Sequence, residues 1–277
     1  MAPLVSVVIP VFNGLPYLEQ AVASVLQQTH ADLEVVLVNG GSTDGSREWI
    51  HTVTDPRVSA LEMPAGTTAA GNWTAASEAA SGEYVKLLCQ DDLLHPASLA
   101  DQVADLENAP AAGMAVAQRD IVDARGRTLF QSRGLVGLRS GVVDGRDALL
   151  TSYRHGTNIF GEPVSVLFRA DALRAALPWD EGRPFLLDLQ LYQRVLLAAP
   201  IVVRRASVGA FRVSASSWST RLVRAQTEQL RSWQREVEAI VPTTSRDRAV
   251  ARAELTRQSL LRRAAYRVAK LRGAFTD

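Results

Sequence analysis

The stretch Leu4-Val5-Ser6-Val7-Val8-Ile9-Pro10-Val11-Phe12-Asn13-Gly14 decides the fold class. Residues 4–11 are an almost unbroken apolar, β-branched run, which suits a strand buried on both faces of a parallel sheet. Asn13-Gly14 ends the run, and Pro16 stands where a helix can begin, because its fixed φ fits the first helical turn. Leu18, Ala21, Val22 and Val25 then recur at helical spacing as far as Gln28. A second apolar run, 34–38, closes at Asn39-Gly40-Gly41, and Ser42-Thr43-Asp44 leads into a helix near 47–52. Strand, helix, strand, helix at this spacing is the signature of βαβ units with right-handed crossovers.

The alternation continues outward. It predicts strands over 58–61, 84–88, 164–168, 201–203 and 209–213, and helices over 72–80, 96–106, 171–177 and 188–197. Residues 110–145 read as a hairpin region with a short strand at 114–118 and Gly-rich turns. Two helical stretches follow Arg221, broken at Pro242. The expected units are an α/β domain over 1–217, with a mixed but mostly parallel sheet flanked by helices, and a basic helical extension over 218–277.

With 277 residues, 47% hydrophobic and 21% charged, the composition excludes a disordered chain or a fibrous repeat. No apolar run approaches the ~20 residues that span a bilayer. The opening MAPLVSVVIP lacks the basic region and cleavage site of a secretion signal. The single cysteine, Cys89, makes neither an internal disulfide nor a cysteine-based zinc site, so a reducing, cytoplasmic setting is expected. A net charge of +1 hides an asymmetry. From Arg221 onward thirteen basic residues face six acidic ones, a balance of +7, against −6 for residues 1–220. An acidic body with a basic tail suits work at an anionic surface.

Ligands of an open α/β sheet bind beyond the carboxyl ends of its strands. The polar clusters at those ends are Asn13, 39–44 and Gln90-Asp91-Asp92. Adjacent carboxylates are costly if buried unpaired, so they hold a cation or face solvent. A hard divalent ion, Mg²⁺ or Mn²⁺, fits oxygen ligands and also neutralises a diphosphate. Asp91 or Asp92 capping the following helix is the plainer reading, and the two are compatible.

Taken in order, 5–13, 24–29, 38–44, Gly71-Asn72-Trp73, Gly82-Glu83-Tyr84-Val85, Gln90–Pro96, Gly161-Glu162-Pro163, Asp188 with Arg194, and Arg212 resemble the family 2 glycosyltransferases of the GT-A fold. The likeness runs from about residue 4 to about 217. It implies an inverting, metal-dependent transfer of sugar from a nucleotide-diphosphate donor to a hydroxyl. Donor contacts then fall on Pro10, Val11, Asn13, Asn39, Gly41, Ser42, Asn72, Gln90, Asp91 and Arg212. Acceptor contacts fall on Glu162 and Asp92, the metal ligand is Asp91, and the base is Asp188.

Two customary aspartates of the base-reading turn are Asn39 and Gly40 here, and the first carboxylate of the Asp-X-Asp motif is Cys89. Asn39 keeps a carbonyl that can accept the imino N–H of uracil or thymine, which favours a UDP- or dTDP-sugar. For Asp188 a capping role is the alternative; for Arg212, a surface arginine; for Trp73, a core residue; for His95, part of the turn before Pro96. The resemblance extends to a glycan, lipid-linked or protein acceptor. Leu260, Ala264, Val268 and Leu271 with Arg257, Arg263, Arg267 and Lys270 make a basic amphipathic stripe. It fits either an anionic membrane face or docking on the body or on a second subunit. Nucleic acid is not an expected partner, since no stacking aromatic set or binding module is present. Two other classes compete: a degenerate member that binds nucleotide sugar or glycan without turnover, and a sugar nucleotidyltransferase. The latter should carry a Gly-rich basic loop after the first strand, where Val11-Phe12-Asn13-Gly14 stands instead.

Overall fold

β1 (Val5–Val11) is buried at every position, as its continuous apolar run requires. It lies parallel between β2 (Leu33–Asn39) and β4 (Tyr84–Leu87), with β3 (Val58–Glu62) parallel to β2 at the edge. The computed structural model describes residues 2–214 and 226–271, with side chains as far as Leu261. Beyond β4 the sheet turns antiparallel through β9 (Val166–Arg169) and β6 (Met114–Val122), then parallel again from β6 to β10 (Ile201–Arg212). β5 (Leu93–Leu94) closes the order β3-β2-β1-β4-β9-β6-β10-β5. β7 (Thr128–Arg133) hairpins onto β6, and β8 (Gly141–Val143) pairs with β10.

Successive side chains of a strand point to opposite faces, and β1 feeds two cores accordingly. Val5, Val7 and Ile9 pack with Leu18, Ala21 and Val25 of α1 (Leu18–Leu26) and with Leu99 and Val103 of α4 (Ser98–Glu107). Val8 faces Ala70 and Ala76 of α3 (Ala69–Glu78). The helix-flanked mixed α/β sheet is therefore as the sequence predicts.

Three departures have local causes. The expected hairpin region gives way at its end to a helix, α5 (Gly145–His155), after α2 (Ser46–Ile50) and the three longer helices already described. Asp144 caps α5 through the N–H groups of Arg146 and Asp147, and left-handed Gly156 ends it. The two short strands expected at 201–203 and 209–213 are one bulged strand, because Arg204 turns its charge onto Asp105 at 2.6 Å rather than breaking the ladder. α3 starts at Ala69, three residues before its predicted start, because the Thr68 hydroxyl accepts from Gly71 N–H.

After α6 (Ala170–Ala176) and α7 (Leu187–Ala198), the extension forms α8 (Gln226–Ile240) and α9 (Ser245–Leu271). Leu230, Trp233, Val237, Ala251 and Leu255 join the same core as Tyr153 of α5 and Tyr192 of α7. The Trp233 indole donates to Gln193 at 2.7 Å, and Arg154 meets Asp247 at 2.7 Å. A Cβ on Gly156 would lie 2.8 Å from the Leu255 backbone, so only glycine lets α9 approach this closely. The first half of α9 is thus docked on the body, while Leu260 is exposed. The 217/218 boundary, Ser216, Ser217, Arg221 and Arg224 lie outside the described residues. So do the side chains of Arg263, Ala264, Arg267, Val268, Lys270 and Leu271.

If α8 is part of this core, Trp233→Ala should cost ~3–5 kcal/mol, the usual penalty for truncating a buried aromatic. Denaturant unfolding should show that loss in the single transition of the whole chain. A sheet that unfolds at an unchanged midpoint would make the extension a separate unit.

Candidate active site

The carboxyl ends of β1, β2 and β4 are tied to one another by their own polar side chains. The Gln90 amide accepts from Phe12 N–H at 2.8 Å and donates to the Phe12 carbonyl at 3.0 Å, strapping the end of β4 to the end of β1. Asn13, at φ 52°, accepts from Thr43 N–H through Oδ1, while its own N–H donates to Ser42 Oγ. Asn tolerates this left-handed conformation better than most residues. Asn39 is 1% exposed. Its Oδ1 accepts from Ser42 N–H at 3.0 Å, and its Nδ2 donates to Glu62 at 2.8 Å. Its carbonyl keeps one lone pair. A Cβ at Gly40 would lie 2.9 Å from Asn72 Nδ2, which itself donates to the Val11 carbonyl. A side chain at position 40, where the resemblance would place an aspartate, would thus press on the Asn72 amide and make it shift. Gly41 has φ +86°, and the Pro10 and Val11 side chains are buried in β1.

Below this brace four carboxyl groups gather. Burial first, then the charges of Asp92, Asp91, Asp188 and Glu162, push the Cys89 thiol well up, so all four bear on one point. That makes Cys89 a packed strand-end residue. Asp91 is pushed up to about 6 by burial, opposed by a bond from its own N–H and by the Arg212 charge. Burial, and then the Asp91 charge, raise Asp92 well above the ordinary value. Asp92 Oδ1 accepts from Arg212 N–H at 3.0 Å, and Oδ2 is buried without a partner among the described residues. Arg212 is 1% exposed, which removes the surface-arginine alternative. Its guanidinium donates to the carbonyls of Asp91 and Ala124 and to Gln20, and lies 4.5 Å over the Tyr17 ring.

Asp188 sits in the first turn of α7, but Leu186 is the capping residue and makes no side-chain bond, so the plain capping reading does not hold. Burial, and then the Glu162 charge, push Asp188 up to about 7. Its oxygens accept from Leu189 N–H at 2.6 Å and Asn158 Nδ2 at 2.9 Å. Asn158 also donates to the Gly161 carbonyl, joining the base candidate to the Glu162 loop. Glu162 pairs with Arg119 of β6 at 2.5 Å.

Asn158, Arg119 and Tyr192, whose buried hydroxyl has no partner among the described residues, escaped the sequence reading. No local motif marks them, because strand pairing and helix packing bring them here. Trp73 packs edge-on to Trp179 at 5.0 Å, a core role, and His95 faces Asp120 at 3.5 Å within its turn. Arg194 donates to the Pro178 carbonyl.

No group of three or more His, Cys, Asp or Glu side chains set to hold a metal occurs among the described residues. A half-buried carboxylate at Asp91, whose own N–H is its one hydrogen-bond donor among the described residues, still fits a hard divalent ion whose remaining ligands come from a bound phosphate.

The family model described as glycosyl transferase family 2 matches residues 6–174. An uncharacterised glycosyltransferase of Nostoc sp. is 34% identical over 130 residues, 46% of this chain and 40% of that protein. This chain therefore spans less than half of that relative's length. TarS 1-349 of S. aureus, solved in complex with UDP-GlcNAc, superposes with a TM-score of 0.62 at 19% identity, covering 81% of this chain and 66% of that one. A mannosyltransferase of Pyrobaculum calidifontis, solved with GDP-Man and Mn²⁺, gives 0.58 at 18%, covering 94% and 70%. These likenesses bear on the fold alone, and they bear out the GT-A-type α/β sheet.

Two substitutions should move the Asp188 titration in opposite directions. Asn158→Ala removes a donor to the charged form, so the carboxyl should titrate higher; Glu162→Gln removes a like charge, so it should titrate lower. Carbon-detected NMR of the side-chain carboxyl reads both, and an Asp188 indifferent to both changes would not share a site with them.

Proposed function

Because the chain belongs to glycosyl transferase family 2, we propose that it moves a sugar from a nucleotide-diphosphate donor, a UDP- or dTDP-sugar, to a hydroxyl of a glycan, lipid-linked or protein acceptor, with inversion at the anomeric carbon. The observation that carries this reading is the pairing of Asp188, a carboxyl pushed up to about 7, with Asp91 in one carboxyl-lined site. A base is most effective when it titrates near the working pH.

In this reading the Asp188 carboxylate takes the acceptor hydroxyl's proton as its oxygen bonds to the anomeric carbon. The bond from that carbon to the diphosphate oxygen breaks, and the nucleoside diphosphate leaves with the electron pair. Asn158 and Leu189 N–H hold the base in register. Asp91 would bind Mg²⁺ or Mn²⁺, which when present neutralises the departing diphosphate. The turn 39–44 reads the nucleotide, with the free lone pair of Asn39 as its acceptor. The TarS structure with UDP-GlcNAc supports a uridine donor on this fold. No helix among the described residues is long and apolar enough to cross a membrane. In our reading the basic residues of the extension, Arg257, Arg263, Arg267 and Lys270, draw the protein to an anionic membrane surface that carries the acceptor.

Four measurements test this. Asp188→Asn should bind donor as wild type does while kcat falls at least ~100-fold, the scale of general-base loss. Since the base works only when ionised, wild-type turnover should climb as pH rises through about 7. Calorimetry should find nucleotide-sugar binding dependent on Mn²⁺ and lost in Asp91→Ala; equal affinity in EDTA would contradict a metal role. Neutralising Arg262, Arg263 and Arg267 to Gln should release the protein from anionic liposomes at low salt, and retention of that variant would remove the membrane from the account.

A further inference from the structure

A cavity of about 190 Å³ opens between α7, the 180–183 loop and α8. It lies on another face of α7 from Asp188: at 3.6 residues per turn, Gln190 stands about 200° around the helix from the base. Gln190, Gln193 and Arg194 line it from α7, Asp180 and Arg183 from the loop, and Glu236 from α8. The walls are organised. Gln190 donates to Asp180 at 2.8 Å, Gln193 donates to Glu236 at 2.7 Å, and Arg183 meets Glu236 at 2.6 Å.

Two polar atoms of these walls are buried without a partner among the described residues: the acceptor Oε1 of Gln190, a residue 8% exposed, and the donor Nε of Arg194. Buried polar atoms in native proteins are nearly always paired, so each exception asks for an explanation. Two guanidinium groups and two carboxylates bring the walls to zero net charge. A phosphate site would need surplus cation, and a metal site surplus carboxylate. Donors and acceptors alternating at close range in a neutral cleft suit a ligand that both gives and takes hydrogen bonds through adjacent hydroxyls. At ~30 Å³ for each water, the cavity equals about six waters, room for one sugar ring and little more.

We infer that this cavity is a second carbohydrate site, which holds one neutral sugar unit of the acceptor glycan away from the hydroxyl that reacts. The inference rests on the glycan-acceptor reading of the function. Gln190 to Arg194 lie about 3–9 Å further along α7 than Asp188. A chain draped over the N-terminal end of that helix would reach both. Because Glu236 completes one wall, the site exists only with α8 docked, which gives the helical extension a part in acceptor binding.

The test uses saccharide-observed NMR on the full chain. The probes are neutral mono- and disaccharides of glucose, galactose, mannose and N-acetylglucosamine, with glucuronate and inorganic phosphate as charged controls. At least one neutral saccharide should bind in the millimolar range, with neither control displacing it. Gln190→Met and Arg194→Met should each weaken that binding at least ~10-fold, equivalent to about 1.4 kcal/mol, with melting temperature and Mn²⁺-dependent UDP binding unchanged. Where either variant melts early, Glu236→Gln on α8 repeats the measurement. Three results would overturn the inference: no neutral saccharide bound at ~10 mM, equal binding by the folded variants, or displacement by phosphate. The two proposals fail separately. Saccharide binding without nucleotide-sugar turnover contradicts the transferase, and turnover with binding indifferent to the variants contradicts the cavity.

Discussion

Carboxyl groups that repel one another are held in a place with little water, and much of the surrounding structure answers to that constraint. Asp91, Asp92, Asp188 and Glu162 all act on the Cys89 thiol, and three of them are themselves pushed up by burial. Between an ordinary carboxylate value and about 7, the folded chain keeps protons on Asp91 and Asp188 that the unfolded chain has released. Stability therefore falls as pH rises through that window. A bound divalent ion would favour the charged form and reverse the loss. The fold accepts this cost because each group has a specific partner: Arg212 N–H for Asp92, Arg119 for Glu162, Asn158 for Asp188. Asp91 takes no donor other than its own N–H among the described residues, and the adjacent Asp92 keeps Oδ2 unpaired, so these two carboxylates are left with bonding capacity to offer a ligand.

The parallel part of the sheet makes this gathering possible. β1 and its neighbours β2 and β4 run in the same direction, so their carboxyl ends meet along one edge. There Gln90, Asn13 and Asn39 spend hydrogen bonds on the backbone of Phe12, Thr43 and Ser42. Such bracing fixes the loop positions before any ligand arrives. Preorganisation of that kind lowers the ordering cost of binding. The same economy leaves few side-chain atoms free to recognise a base, so in the proposed function nucleotide recognition would fall on backbone groups and the remaining lone pair of Asn39.

How much of this was legible depended on where the information lay. β1 and α1 could be read because burial on both faces and helical spacing are written into consecutive residues. Asp91 and Asp188 could be found because strand ends and family motifs mark them. α5 escaped because its signals, the Asp144 cap and the Gly156 stop, bracket a segment whose neighbouring Gly-rich turns read as loop. β10 was split because Arg204 and Arg205 look like an interruption, whereas their charges are satisfied off the strand. Asn158 carries no signal of its own. Its importance arises from a contact across thirty positions with Asp188.

Asn158 also shows how the two halves of the site are coupled. Its amide group holds Asp188 at the start of α7 and the Gly161 carbonyl beside Glu162, while its carbonyl oxygen takes Phe160 N–H. A shift of the Glu162 loop is thereby transmitted to Asp188. Arg119 reaches the same loop from β6, and a Cβ on Gly161 would lie 3.0 Å from its Nε, so the loop has little freedom to move alone. An acceptor that displaced Glu162 from Arg119 would alter the charge facing Asp188 without touching it. If Asp188 is the base and Glu162 marks the acceptor side, as proposed, the base's proton affinity depends on what occupies that side, and a carboxyl pushed up to about 7 is poised where such a change matters most.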